Sequence, residues 1–333
     1  MLTLCVSVLV LDIIAAGLPR VAEPGEVVIP SGGIEIHVGG HAANISINLR
    51  RLGLKEGDVG VIGAVGDDLP AHFIDSELRN YGVITYLQRA SGPTGKNVIL
   101  VVKGQDRRFH SEIPPSPTPS HVVSILRKDR PRIFYVGTTG IMKQIDNALE
   151  DILKEAKGMG CITFVDPVVP PDNDWSYLRG ALKWTDIFHS NDVEAIHFTG
   201  EADPESALET IMKMGVSLGI VSMGERGLLA ANKKIWISLP SFKVNAIDPT
   251  GAGDALAAGI IHGLLQFDVS RPVKVAELTQ TALLDILIYA EAVGAACVMR
   301  VGTTSGVTPR RVNRLMESQA AKIRELASIR MIK

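Results

Sequence analysis

Short runs of aliphatic, often β-branched residues alternate along this chain with stretches in which apolar residues recur every three or four positions. No other feature restricts its fold as tightly. Residues 4–11, 59–65, 133–136, 162–165 and 220–223 read as buried strands, and residues 42–52, 71–81, 145–157 and 205–214 as helices. Strands that alternate with helices build βαβ units and a mainly parallel sheet. Helices cover both faces of such a sheet, so its strands are apolar almost without interruption. The last third, periodic at 252–265, 276–299 and 309–327, is expected to be mostly helical. Arg310, Arg311 and Arg314 read as a solvated face of its final helix.

The composition agrees. Hydrophobic residues make up 46% of the chain and aromatics only 5%, so the core must be aliphatic. A length of 333 residues suits one large α/β unit with a substantial core. Two segments, 27–38 and 98–109, look extended without a helix directly after them. They read either as surface hairpins or as a small antiparallel sheet that projects over a site as a lid. The lid would take roughly residues 13–40 and 95–112 within a single domain of 1–333. A proline-fixed run at 114–119 then leads into the next helix.

Several classes are disfavoured. A formal charge of −2 gives no electrostatic case for nucleic acid. Cys5, Cys161 and Cys297 are widely spaced, without a CxxC, which argues against zinc and for a reducing compartment. Residues 2–17 are apolar, but no basic residue precedes Arg20 and Asp12 interrupts the run, so a buried first strand fits better than a signal peptide. No run reaches the ~18 apolar residues of a spanning helix. A cytoplasmic protein without a membrane partner is expected. Gly95-Lys96 resembles the end of a P-loop, but Ala90 stands where the first glycine belongs and Asn97 follows the lysine. Gly60, Gly63 and Gly66 lack the dinucleotide spacing, and Asp67-Asp68 reads as a helix cap.

Chemistry concentrates at 244–265. An extended apolar segment reaches Ala246-Ile247, Asp248-Pro249-Thr250 turns, Gly251-Ala252-Gly253 follows, and a helix begins at about Asp254. Small residues at a helix start leave N–H groups open, and glycine lets a ligand come close. With the helix dipole this makes an anion site suited to phosphate. Asp254 has two readings. It complements the dipole, worth ~0.3–1 kcal/mol, or it is a general base for a hydroxyl that attacks a phosphoryl group. A second cluster, Gly39-Gly40-His41-Ala42-Ala43-Asn44, reads as a turn before a helix or as a contact for a small polar ligand.

Together, residues 39–44 with the trailing Leu52-Gly53, and Asp248-Pro249-Thr250-Gly251-Ala252-Gly253-Asp254 through Gly259, resemble the two signatures of the ribokinase-like (PfkB) carbohydrate kinase family. The resemblance covers nearly the whole chain. It implies an α/β, ribokinase-like three-layer sandwich with a mainly parallel central sheet and a small β-sheet lid. It implies ATP-dependent phosphorylation of a hydroxyl on a sugar or sugar-like molecule, with Asp254 as base and Gly251, Ala252 and Gly253 as anion hole. Asp12, at the end of the first strand, resembles the family's acid for substrate hydroxyls, and Gly39, Gly40, His41 and Asn44 resemble substrate contacts.

Further positions carry over. Asn191-Asp192-Val193-Glu194 resembles the NxxE motif, in which Asn191 and Glu194 organise Mg²⁺ through its waters; read alone it is close to a capping box. Ser222, Gly224 and Gly227 resemble a nucleotide-binding turn. Thr250 belongs with them, and Val301-Gly302-Thr303 with the preceding helix would border the adenine. Asp248, with backbone near Thr250 and Gly302, resembles the monovalent-cation site (K⁺) of some members. The implied partners are ATP and a sugar or polyol, and a lid could pair two copies as a homodimer. There are departures. Ser7 replaces a usual glycine, and after a return strand at 107–110 the common Gly-Ala-Asn is replaced by Pro114-Pro115-Ser116. Both lie on the substrate side and leave the acceptor open. A nucleoside kinase of the same family and a silent nucleotide-binding regulator are the alternatives. Asp12 and the glycine pair suit a polyol, and no clear aromatic pair offers to stack a base. Asp254 and NxxE weigh against the regulator.

Overall fold

A computed structural model describes residues 1–105, 108–266 and 274–332. Arg107, the first residue of the expected return strand, lies outside them. Among the described residues the larger sheet has ten strands. Edge to edge they are Ser328–Met331, Ile235–Leu239, Leu228–Asn232, Leu218–Ser222, Ile187–Asn191, Ile162–Pro167, Ile133–Thr139, Thr3–Val6, Val59–Val65 and Ile84–Arg89. The seven from Leu218–Ser222 onward are parallel, and the first three pair antiparallel at one edge. Central strands such as Val59–Val65 and Ile133–Thr139 are buried along their whole length. Helices cause this by packing on both faces: His41–Arg51, Ala252–Leu265 and Gln280–Cys297 on one, Lys143–Gly158 and Pro204–Lys213 on the other.

The second sheet is the lid, in the order Ile34–Gly39, Val10–Leu18, Gly95–Val102 and Arg108–Ser111. Its outer pairs are antiparallel, but its central pair is parallel, which the expected hairpins do not provide. Of 27–38, only 34–38 belongs to a strand, Ile34–Gly39. The expected first strand, 4–11, is in fact two. Thr3–Val6 lies in the main sheet and Val10–Leu18 in the lid. The break falls at Ser7, whose hydroxyl donates to Val8 O (2.6 Å) and accepts from Ala42 N–H (2.9 Å). Ser7 thereby caps the helix His41–Arg51, whose own N-cap residue, Gly40, has no side chain to do so. Asp12 consequently sits inside a lid strand, not at the end of the first strand.

Contrary to expectation, one helix, Gln280–Cys297, is long and apolar enough to cross a membrane. It is 72% buried, packed against Ala252–Leu265 and Pro309–Leu326, which accounts for its apolar character.

Candidate active site

In open parallel sheets, ligands bind beyond the carboxyl ends of the strands. Here those ends carry Thr138, Asp166, Asn191 and Ser222. Two cavities flank the segment 250–254. One of about 850 Å³ lies under the lid and is lined by Asp12, Gly40, His41, Asn44, Gly251 and Asp254. The other, of about 320 Å³, is lined by Ser222, Gly224, Gly227, Ala252 and Gly253.

The segment between them is built by glycine. Gly251 has φ +78°, and a Cβ there would come within 2.6 Å of Thr303 O. Only glycine meets both demands. The helix runs Ala252–Leu265, as its periodicity predicts. Ala252 N–H turns back to Pro249 O (3.3 Å), whereas the N–H groups of Gly251, Gly253 and Asp254 have no acceptor among the described residues. Around Gly253 a Cβ would touch only His189, at 3.4 Å, so protein packing does not require glycine there. That open cradle with three N–H donors fits an anion. Asp248, fully buried, braces the loop. One carboxylate oxygen accepts from Thr250 N–H (2.9 Å) and hydroxyl (2.6 Å), the other from Gly302 N–H (2.9 Å).

On the lid side, strand periodicity sorts the residues. Asp12 pairs in register with His37 and Asn97, so all three face inward, while Ile13, Ile36 and Val98 share the outer face. Asn97 Nδ2 donates to Asp12 Oδ1 at 2.7 Å. Burial pushes the Asp12 carboxyl up to about 7, aided by the charges of Asp254 and Asp248 and opposed by Asn97. Nothing local in the sequence marks Asn97, whose parity with Asp12 arises only across a parallel pair. Gly39 lies against Asp12, where a Cβ would fall on the carboxyl, and Gly40, at φ +95°, abuts Val8 O. Asn44 Nδ2 donates to Asp254 Oδ2 at 2.7 Å, and His41 Nδ1 lies 3.8 Å from Asp254 Oδ1. Asp254 is 7% exposed. Burial raises its pKa, and His41 and Asn44 counteract that.

On the opposite side, Gly227 (φ +89°) presses on Leu239 O, and Gly224 (φ +58°) has open space around it. Gly302 does not line this cavity. Its Cα adjoins the His37 ring, and Val301 packs with the lid residues Ile14, Ala16 and Ile99, so 301–303 lies on the lid side. The preceding helix does line it, through Glu291, Gly294, Ala295 and Val298. Asn191 and Glu194 form the capping box in full, each side chain accepting from the other's N–H at 2.8 Å. Burial and then Asp166 push Glu194 up to about 7. No group of three or more His, Cys, Asp or Glu suited to a metal occurs among the described residues.

Beneath the loop runs a buried polar chain invisible in the sequence. Ser222 Oγ lies 3.1 Å from His189 Nε2, and His189 Nδ1 lies 3.0 Å from Asp166 Oδ2. Tyr135 donates to the same oxygen at 3.0 Å, and its hydroxyl lies 3.3 Å from His41 Nδ1. His189 is raised: burial opposes its charge, and Asp166, Glu194 and Asp254 together outweigh burial. Asp166 is held low, because His189, His41 and Tyr135 together outweigh its burial. This hydrogen-bonded pair lies against Gly253, where a Cβ would meet the His189 ring.

A family model for pfkB family carbohydrate kinases matches residues 5–310. A probable fructokinase-5 of Arabidopsis thaliana is 27% identical over 297 residues, 85% of this chain and 89% of the relative. The ribokinase structure from Giardia lamblia superposes with a TM-score of 0.79 at 19% identity, covering 95% of this chain and 98% of that one. A fructokinase structure from Xylella fastidiosa with bound ATP gives 0.78 at 21% identity, covering 96% and 99%.

Proposed function

The chain belongs to the pfkB family of carbohydrate kinases, and from that premise we propose that it transfers the γ-phosphoryl group of ATP to a hydroxyl of an uncharged sugar or polyol, with Asp254 as general base. The observation that carries this reading is the position of Asp254. Its carboxyl borders the larger cavity beside three N–H groups without an acceptor among the described residues, and Gly253 of the same loop lines the smaller cavity. A hydroxyl in the larger cavity, between Asp12, Asn44 and Asp254, meets a base and an anion hole together. Asp254 takes the proton as the hydroxyl oxygen bonds to phosphorus and the bond to the ADP oxygen breaks. The N–H groups of Gly251, Gly253 and Asp254 hold the charge on the phosphoryl oxygens, and the buried His189–Asp166 pair keeps the loop's floor rigid. The lid closes the site from water.

Asn191 and Glu194 fit a divalent cation held through water and phosphate. With no carboxylate cage among the described residues, and with Glu194 raised by burial and then by Asp166, a cation there would favour its charged form. Mg²⁺, when bound with ATP, supplies charge neutralisation on the phosphates.

Charge narrows the acceptor. The outer lining of the larger cavity holds Asp146, Asp172 and Asp174 against Lys143, a poor setting for a sugar phosphate or sugar acid. Its volume and the presence of Tyr177 and Phe109 make a nucleoside the second reading. Exposed Ile34, Ile36 and Val98 on the lid's outer face support pairing of two copies, which sedimentation would test. A coupled ADP-release screen over ketoses, aldoses, polyols, sugar acids, sugar phosphates and nucleosides tests the proposal, with Asp254→Asn as control. Nucleotide binding without turnover of any acceptor would support the regulator instead.

A further inference from the structure

Glu291 is a buried acid that the proposed mechanism leaves idle. It lies within the apolar helix Gln280–Cys297, is 7% exposed, and its side chain has no hydrogen-bond or ion-pair partner among the described residues. It lines the smaller cavity together with Gly294, Ala295 and Val298. These four recur at helical spacing and form one face. Gly294 and Ala295 keep that face flat, and Phe242 and Leu256 add apolar walls.

An unpaired carboxyl in such a wall destabilises the empty protein, and an apolar side chain would fill the place better. Burial pushes it up to about 8, with His189 acting weakly against that. Its persistence needs a ligand that repays the cost. A triphosphate is not needed as that partner, because the anion loop already provides for phosphate. What remains of a nucleotide is the base, a flat ring with N–H donors on its edge.

Resting on the reading of the smaller cavity as the nucleotide site, we infer that Glu291 selects the phosphate donor by accepting a hydrogen bond from an exocyclic amine on its base, as in 6-aminopurines. The test is calorimetric titration of ATP and of purine riboside 5′-triphosphate, which lacks that amine, with Mg²⁺ and without acceptor. The wild type should bind ATP about 10–100-fold more tightly. Glu291→Leu should bring the ratio close to one, while Glu291→Gln, whose amide oxygen still accepts, should retain most of it. Equal affinities in the wild type, or a preference unchanged in Glu291→Leu, would overturn the inference and leave the kinase assignment standing. Binding of neither nucleotide would remove both.

Discussion

Replacing Asp254 by Asn should lower activity and raise stability, and the two signs test different parts of the reasoning. The substitution keeps the shape. Asn44 Nδ2, now 2.7 Å from Asp254 Oδ2, can still donate to an amide oxygen at 254. What disappears is the negative charge. Loss of a general base typically costs ~10²–10⁴ in rate, or about 3–5 kcal/mol of barrier. Stability moves the other way. The buried Asp254 has a raised pKa, so the folded state holds its proton more tightly than the unfolded chain does. Its ionised form therefore destabilises the fold above the ordinary carboxylate pKa, and the penalty grows until pH passes the folded value. Asn carries no such penalty. At pH 7.5 the melting temperature should rise by about 2–4 °C for each kcal/mol relieved, and the gain should vanish near pH 3.5, where both states are protonated. Coupled ADP release and calorimetry at the two pH values measure this. Activity within tenfold of wild type would remove Asp254 as base. A lower melting temperature at pH 7.5 would show that His41 and Asn44 more than offset its burial.

Other perturbations separate the two cavities. Gly39→Ala places a methyl on the Asp12 carboxyl and should raise the acceptor KM at least about tenfold while leaving the ATP KM unchanged, as initial-rate kinetics would show. Gly251→Ala strains a left-handed backbone and drives Cβ onto Thr303 O, so chemical denaturation should show a loss of about 1–3 kcal/mol, together with loss of turnover. Thermal melts should fall as pH rises from about 5 to 8. Asp12 and Glu194 are raised to about 7 and Glu291 to about 8, and His41 and His189 are raised too, so the folded state binds more protons across that window. Asp166, held low, contributes a constant there and loses its contribution only under stronger acid.

Much of the molecule is legible from local pattern. Alternation of strand and helix carries the parallel sheet, and the run 248–254 carries the anion loop, because φ, small side chains and helix start are all properties of neighbouring residues. The lid is less legible. Residues 4–11 are apolar apart from Ser7, and a single serine does not mark a strand break; the crossing there is decided by a hydrogen bond to Ala42, 35 residues away. Asn97 escapes for the same reason. Its partner Asp12 is 85 residues distant, and only the parallel register of the lid brings them together. The approach of 301–303 to the lid is equally hidden, because it rests on Gly302 meeting the His37 ring and Val301 packing on Ile14, Ala16 and Ile99, contacts that no spacing announces.

Several acids of this protein divide by what they face, and the division points to the two cavities without any motif. Asp203 lies on the surface and accepts from the N–H of Ser206 at a helix start, which pulls it below the usual range. Asp12, Asp146 and Asp254 line the larger cavity and Glu291 the smaller, and burial comes first in raising each. A fold selected for stability alone would neutralise or expose such groups. Asp166 shows that the protein can do so, since His189 holds it low at a similar depth. Four of the raised acids thus gather on the walls of the two cavities, with Asn97, Asn44 or a backbone N–H as the partner of Asp12, Asp254 and Asp146, and no cation beside Glu291 among the described residues. Buried acids with raised pKa values in a cleft are the pattern expected of a site that moves protons or binds polar ligands.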